Sequence, residues 1–93
     1  MPEMRFRIRW PDGRHETCYS PSLVVKDYLV EGESYALADF LDRSRVALSI
    51  ASERVRAKYG RPCPRARSQL ARLEMTAGAY PRDARVTLET FEP

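Results

Sequence analysis

The side chains in this chain best suited to chemistry are two cysteines, Cys18 and Cys63, and one histidine, His15. Cys63 is the stronger candidate. It stands in the run Arg61-Pro62-Cys63-Pro64-Arg65 at the start of a helical pattern. A thiol there meets the positive end of a helix dipole and the charges of Arg61, Arg65 and Arg67, and both favour the thiolate, which makes Cys63 a candidate reactive thiol. The competing reading is a structural cysteine wedged between two prolines. A Cys-His pair would need His15 to come from far along the chain, and no pattern brings it there. His15 and Cys18 are three apart, a spacing that suggests metal binding, but on a strand such residues point to opposite faces. One histidine and two distant cysteines are too few ligands for a structural zinc. No metal or cofactor is therefore expected.

The chain carries no carboxylate pair, no nucleophile elbow and no phosphate-binding glycine loop, and its four glycines are single punctuation marks. A non-catalytic role is expected. Charge is more informative in its distribution than in its sum. The net charge of +3 is mild, yet Arg54, Arg56, Lys58, Arg61, Arg65, Arg67 and Arg72 follow one another without an intervening acid. Such a run has three readings: a solvated face, an anion- or nucleic-acid-binding surface, or half of an interface with an acidic partner. Two helices around a short joint suggest a helix-turn-helix. Against that, Ala66, Leu70 and Leu73 are committed to a core and only Tyr59 offers a ring for stacking. Arg5, Arg7 and Arg9 could extend the basic surface, with Glu16 and Glu89 placed to neutralise them across a sheet.

These residues must be positioned by a small set of elements. Met4, Phe6, Ile8 and Trp10 alternate with Arg5, Arg7 and Arg9, the pattern of a half-buried strand. Pro11-Asp12-Gly13 then turns the chain into a second strand over residues 14–20. Two registers are open. A three-residue loop sets Phe6 opposite Cys18 and Ile8 opposite Glu16, whereas a two-residue Asp12-Gly13 turn sets them opposite Tyr19 and Thr17. The second is preferred because it buries Tyr19 and Thr17 and puts Glu16 beside Arg9. Ser20-Pro21-Ser22 reads as the start of a short helix carrying Leu23, Val24, Tyr28 and Leu29.

After Glu31-Gly32-Glu33, Ser34 is the expected N-cap of a long helix. That helix carries Leu37, Leu41, Ser44, Leu48, Ala51, Val55 and Tyr59 as a core stripe flanked by Phe40 and Ala47, with the Ser44 hydroxyl bonding back to a carbonyl one turn earlier. Gly60 stops it, giving about 25 helical residues and a length of about 37 Å. Val46 and Ile50 project away from the stripe, so a further element or a second subunit is expected to cover that side. Pro64 opens the next helix, with Ala66, Leu70, Leu73 and Ala77 as its stripe, and Gly78 ends it. Residues 85–91 alternate again as a closing strand.

Two stretches carry a resemblance: the run from Ile50 to Gly60, with its Ser-Glu-Arg-Val-Arg-Ala-Lys-Tyr-Gly wording, and residues 18–28, Cys-Tyr-Ser-Pro-Ser-Leu-Val-Val-Lys-Asp-Tyr. Together with the opening Met-Pro-Glu-Met-Arg-Phe-Arg strand and the Cys63 position, they make the chain resemble the small bacterial nitrogen-starvation-response proteins over nearly its whole length. The resemblance implies genes set beside those of a nitrilase, a radical SAM protein, an acetyltransferase and a flavoprotein, hence a role near nitrile or cyanide nitrogen assimilation. It implies no catalytic residues.

At 93 residues, 43% hydrophobic and 31% charged, the chain is expected to form one globular domain over residues 1–93. It has no apolar run long enough to cross a membrane and no secretory leader, so a soluble, cytoplasmic protein with reduced thiols is expected. The expected fold is α+β. A three-stranded, mainly antiparallel sheet in the order β-β-α-α-α-β is covered on one face by the long helix and the one after it. The expected function is that of an accessory protein that docks to a pathway enzyme or to a second copy of itself, as a homodimer. The surface expected to do so is Val46, Ile50, Arg54, Arg56, Lys58, Arg61 and Arg65. The alternative is a small anion- or nucleic-acid-binding regulator using the Arg54 to Arg72 region.

Overall fold

The computed structural model describes residues 3–92; Met1, Pro2 and Pro93, which belong to the one-domain reading of residues 1–93, lie outside them. Strand β1 (Met4–Arg9) is central, and its alternation is realised in full. Met4, Phe6, Ile8 and the following Trp10 are buried, while Arg5, Arg7 and Arg9 are exposed on the other face. On one side β1 pairs antiparallel with β2 (His15–Ser20), and on the other with β4 (Arg85–Glu92). The sheet order is β2-β1-β4-β3, antiparallel throughout. The fold is α+β as expected, with four strands instead of three.

The added strand is β3 (Ser34–Ala36), paired with Thr87, Val86 and Arg85 of β4. Three residues are too few to show a period of two, and their partner lies some fifty positions away. This strand also displaces Ser34 from the expected cap. Helix α1 (Leu37–Tyr59) begins after Ala36, and no side chain caps it. The orphan N–H groups of its first turn go instead to backbone carbonyls of the loop before β4: Leu37 donates to Ala84 at 2.8 Å and Ala38 to Arg82 at 3.1 Å. The Ser34 hydroxyl accepts from Arg85 Nε at 3.2 Å.

The hairpin adopts the three-residue loop, which corrects the preferred register. Phe6 faces Cys18 and Ile8 faces Glu16. Trp10 N–H donates to Arg14 O at 2.8 Å and Gly13 N–H to Trp10 O at 2.9 Å, with Gly13 at φ +92°. A glycine at positive φ inserts the extra residue that shifts the pairing by one. Cys18 and Ser20 therefore turn inward, and Thr17 and Tyr19 outward. Ser20 is tolerated inside because its Oγ donates to Ser22 O at 2.7 Å. Glu16 is not beside Arg9 but accepts from Trp10 Nε1 at 2.9 Å. The Trp10 ring stacks on Tyr80 and meets Phe40 edge-on.

The short helix is a 3₁₀ turn at Leu23–Asp27, capped by Ser22 Oγ, which accepts from Val24 N–H. Val24, Val25 and Leu29 are buried and Leu23 is exposed. Along α1 the stripe is buried at Leu37, Phe40, Ser44, Ala47, Leu48 and Ala51. It then runs past the core: Val55 is half-buried and Tyr59 is 62% exposed. The Ser44 hydroxyl departs from its expected back-bond. Its helical neighbours one turn away, Phe40 and Leu48, are apolar and buried, and Oγ has no partner among the described residues. Gly60 ends α1 at φ +85°, its N–H bonded to Arg56 O at 2.8 Å. Helix α2 (Pro64–Ala77) packs against α1 and β2, burying Ala66, Gln69, Leu73 and Ala77.

Candidate functional site

The expected working surface divides into two parts with different surroundings. On the Val46/Ile50 side, Arg43 donates to Tyr28 O at 2.9 Å and Arg54 to Ser22 Oγ at 3.0 Å. Residues 43 and 54 lie three helical turns apart and so project in nearly one line. Ile50 falls between them on that line and is half-buried, which makes the segment carrying the 3₁₀ turn the element that lies along this side. Val46 stays 45% exposed as a single apolar side chain, an ordinary surface feature.

The basic end is less compensated. Arg56 is paired with Glu53, and the Lys58 ammonium lies over the Tyr59 ring at 5.4 Å. The Arg65 guanidinium lies 3.8 Å from the centre of the Tyr19 ring, with Glu3 3.8 Å from its Nη1. Arg61, Arg67 and Arg72 are exposed and make no ion pair or side-chain hydrogen bond among the described residues.

Cys63 occupies the N-cap position of α2 but is only 8% exposed, and its own N–H donates to Ser52 Oγ at 3.2 Å. The cysteine is thus largely shielded from solvent. His15 does not approach it. The imidazole is on the outer face of the sheet, where Nδ1 lies 2.6 Å from Glu89 Oε1, while Cys18 of the same strand is buried on the inner face. Burial pushes the Cys18 thiol well up, the Glu16 charge adds to this, and the Arg72 charge acts against it. Among the described residues no group of three or more His, Cys, Asp or Glu is placed to hold a metal ion, and no helix is long and apolar enough to cross a membrane.

What the structure adds is a concavity of about 310 Å³ between β2 and α2, lined by Tyr19, Pro64, Arg65, Ser68, Gln69 and Arg72. Four of these residues repeat at i, i+3, i+4 and i+7, one face of α2. Gln69 is 6% exposed, and its Oε1 accepts the outward N–H of Tyr19 at 2.9 Å. That bond fixes which end of the amide is which. The other end, Nε2, is buried with no partner among the described residues. Burial raises the Tyr19 phenol above its ordinary value of 10, Cys63 and Glu3 add to the rise, and Arg65 opposes it.

A second concavity, of about 320 Å³, lies between the first half of α1 and the end of α2. There Arg45 ties together Asp42 at 3.0 Å and Glu74 at 3.1 Å, so its principal charges satisfy one another.

Residues 5–91 match the model of the family described as Nitrogen starvation-induced protein NitG. The chain belongs to that family. Comparison with curated proteins and with solved structures returned no match. For this NitG-family chain, the basic end at the α1–α2 joint, with the concavity beside it, is the candidate site. The basic run was legible in the sequence. Gln69 and Tyr19 were not, because their meeting depends on the hairpin register.

Proposed function

We propose that this chain is a non-catalytic accessory protein of a nitrogen-starvation response that docks through the basic end of its two helices onto an acidic surface of a pathway protein. The observation that carries the reading is the unpaired charge at the joint. Arg61, Arg67 and Arg72 have no acidic partner among the described residues, whereas Arg14, Arg43 and Arg45 are each tied to a carboxylate of the chain itself. Charges left without an internal partner raise the rate and specificity of meeting an oppositely charged surface. A non-catalytic role is supported by the placement of the reactive residue types. His15 lies on the outer sheet face beside Glu89, and both thiols are buried elsewhere.

The test is affinity capture from nitrogen-starved cells with the wild-type chain and with Arg61→Glu, a reversal on the exposed joint. The expected result is a defined partner, retained by the wild type and lost by the variant, with the retention weakening as salt rises. No protein retained by the wild type, or one retained equally by Arg61→Glu, refutes docking through this end. A wild-type chain that instead binds RNA or DNA at low salt, with affinity falling steeply as salt is raised, would establish the nucleic-acid reading in its place.

A further inference from the structure

The geometry points to the concavity between β2 and α2 as a binding site for a phosphate group, held by Arg65, Arg72, Ser68 and the buried amide of Gln69. The proposal rests on reading this end of the molecule as a surface that faces anions, and it adds a discrete site to that surface. The residues that line it supply donors and positive charge, and no carboxylate is among them, Glu3 standing outside the lining at 3.8 Å from Arg65 Nη1. Two guanidinium groups come from positions 65 and 72, two turns apart on one helix face, and a hydroxyl comes from Ser68. A tetrahedral anion with several acceptor oxygens matches so many donors better than a single carboxylate does.

Gln69 turns a basic patch into a built site. Its Oε1 is engaged by Tyr19 N–H, so Nε2 necessarily presents two N–H donors, and these are buried without an acceptor among the described residues. Buried donors are almost always satisfied, and one that is not calls for an absent acceptor. A ligand oxygen settling between Arg65 and Arg72 provides it, after a side-chain adjustment that opens the way to the buried Nε2. Arg65 is already held over the Tyr19 ring, 3.8 Å from its centre, so less freedom is lost when it donates to a ligand. Pro64 places the opening turn of α2 at the rim, where the helix dipole adds positive potential. The volume of about 310 Å³ exceeds what a lone phosphate fills, so a phosphate monoester also fits.

The experiment is a titration of the full chain with inorganic phosphate at constant ionic strength, followed by calorimetry and by amide NMR, with acetate as the carboxylate control. A nucleoside monophosphate forms a second arm. The expected result is one saturable site that prefers phosphate over acetate, with the largest shifts at Tyr19 N–H and the Gln69 side-chain amide. Arg72→Gln and Gln69→Glu should each weaken binding by about tenfold or more, since each removes a charge-assisted or buried donor. Gln69→Glu keeps the acceptor for Tyr19, and Arg72→Gln serves alone if that variant does not fold. Arg82→Gln, an equal loss of charge that does not line this concavity, should leave the affinity within about twofold by the same reasoning. Tighter binding of the monophosphate assigns the site to a phosphate ester, and equal binding assigns it to the free anion. Non-saturable binding, equal binding of acetate, or equal losses in Arg72→Gln and Arg82→Gln overturn the proposal. The titration needs no partner protein and the capture experiment needs no phosphate, so the failure of one is distinguishable from that of the other.

Discussion

Replacing Ser44 by alanine should stabilise this protein, although it deletes a polar group from the middle of a helix. Ser44 is 1% exposed on the core-facing stripe of α1, and its Oγ has no hydrogen-bond partner among the described residues. A hydroxyl carried out of water into such a place without a partner costs about 1–3 kcal/mol. Alanine removes that cost and is the better helix former by about 0.5 kcal/mol. Losing the contacts of one oxygen atom gives back a few tenths of a kcal/mol, roughly. The net expectation is a gain of about 1–3 kcal/mol, which for a chain of this size corresponds to a rise in Tm of about 5–15 °C. Urea unfolding followed by circular dichroism measures it. The midpoint should move up with the slope unchanged, which marks a change in stability and not in the compactness of either state. A midpoint that falls, or does not move, would refute the reasoning and show the hydroxyl to be bonded, as expected from the sequence alone.

Two further outcomes follow from corrected or newly found contacts. Ser34→Ala should cost well under the ~1 kcal/mol typical of a lost N-cap, because Ala84 and Arg82 carbonyls receive the first N–H groups of α1; a loss of ~1 kcal/mol or more in the same unfolding assay would contradict that assignment. Glu89 has its carboxyl held below the ordinary 4.5, first by the hydrogen bond with His15 and then by the charges of His15, Arg7 and Arg9. A depressed carboxylate contributes stability above its unfolded value and loses it as pH falls through the folded one. The Tm difference between wild type and Glu89→Gln should therefore shrink progressively as pH falls below about 4.5; a difference unchanged between about pH 5 and about pH 2.5 would sink the pairing.

What could be read from the sequence was local. β1 shows itself by strict alternation with arginine, and α1 and α2 by stripes that end at Gly60 and begin at Pro64, because each pattern is complete within one element. Most of the misses are places where a distant segment decides, and the hairpin register is the local exception. Ser34, Tyr35 and Ala36 become a strand only because β4 returns beside them. The hairpin register turns on one extra residue at Gly13 and on a local bond that lets Ser20 be buried. The α1 stripe correctly names a face, but nothing in its period says where the opposing core stops, so Tyr59 continues the stripe and yet lies exposed. The candidate site shares this history. Arg65 and Arg72 stand out as charge, whereas Gln69 gains its meaning from Tyr19, whose side chain turns to the outer face only in the register with the three-residue loop.

The two edges of the sheet sharpen that point. Beyond β3, the edge of β4 is closed by the chain nearby: Gly32 N–H donates to Leu88 O at 2.7 Å, Leu88 N–H to Glu33 O at 2.9 Å, and Phe91 N–H to Glu31 Oε1 at 2.8 Å. At the β2 edge, Tyr19 N–H is closed by a side chain of α2. Several residue types could supply an acceptor there, and a glutamate would do so without bringing a donor. A glutamine brings both. Covering the edge with its oxygen leaves an amide nitrogen buried beside two arginines, at a cost of about 1–3 kcal/mol for as long as nothing accepts from it. An anion that does accept removes this cost in the folded state alone, so occupancy should raise stability by mass action, about 2.7 kcal/mol at a hundredfold excess over Kd. In Gln69→Glu the edge contact persists while that linkage weakens. Edge closure and anion recognition are thus two functions of one amide, and a phosphate-dependent rise in Tm that is smaller in Gln69→Glu than in wild type at equal phosphate separates them.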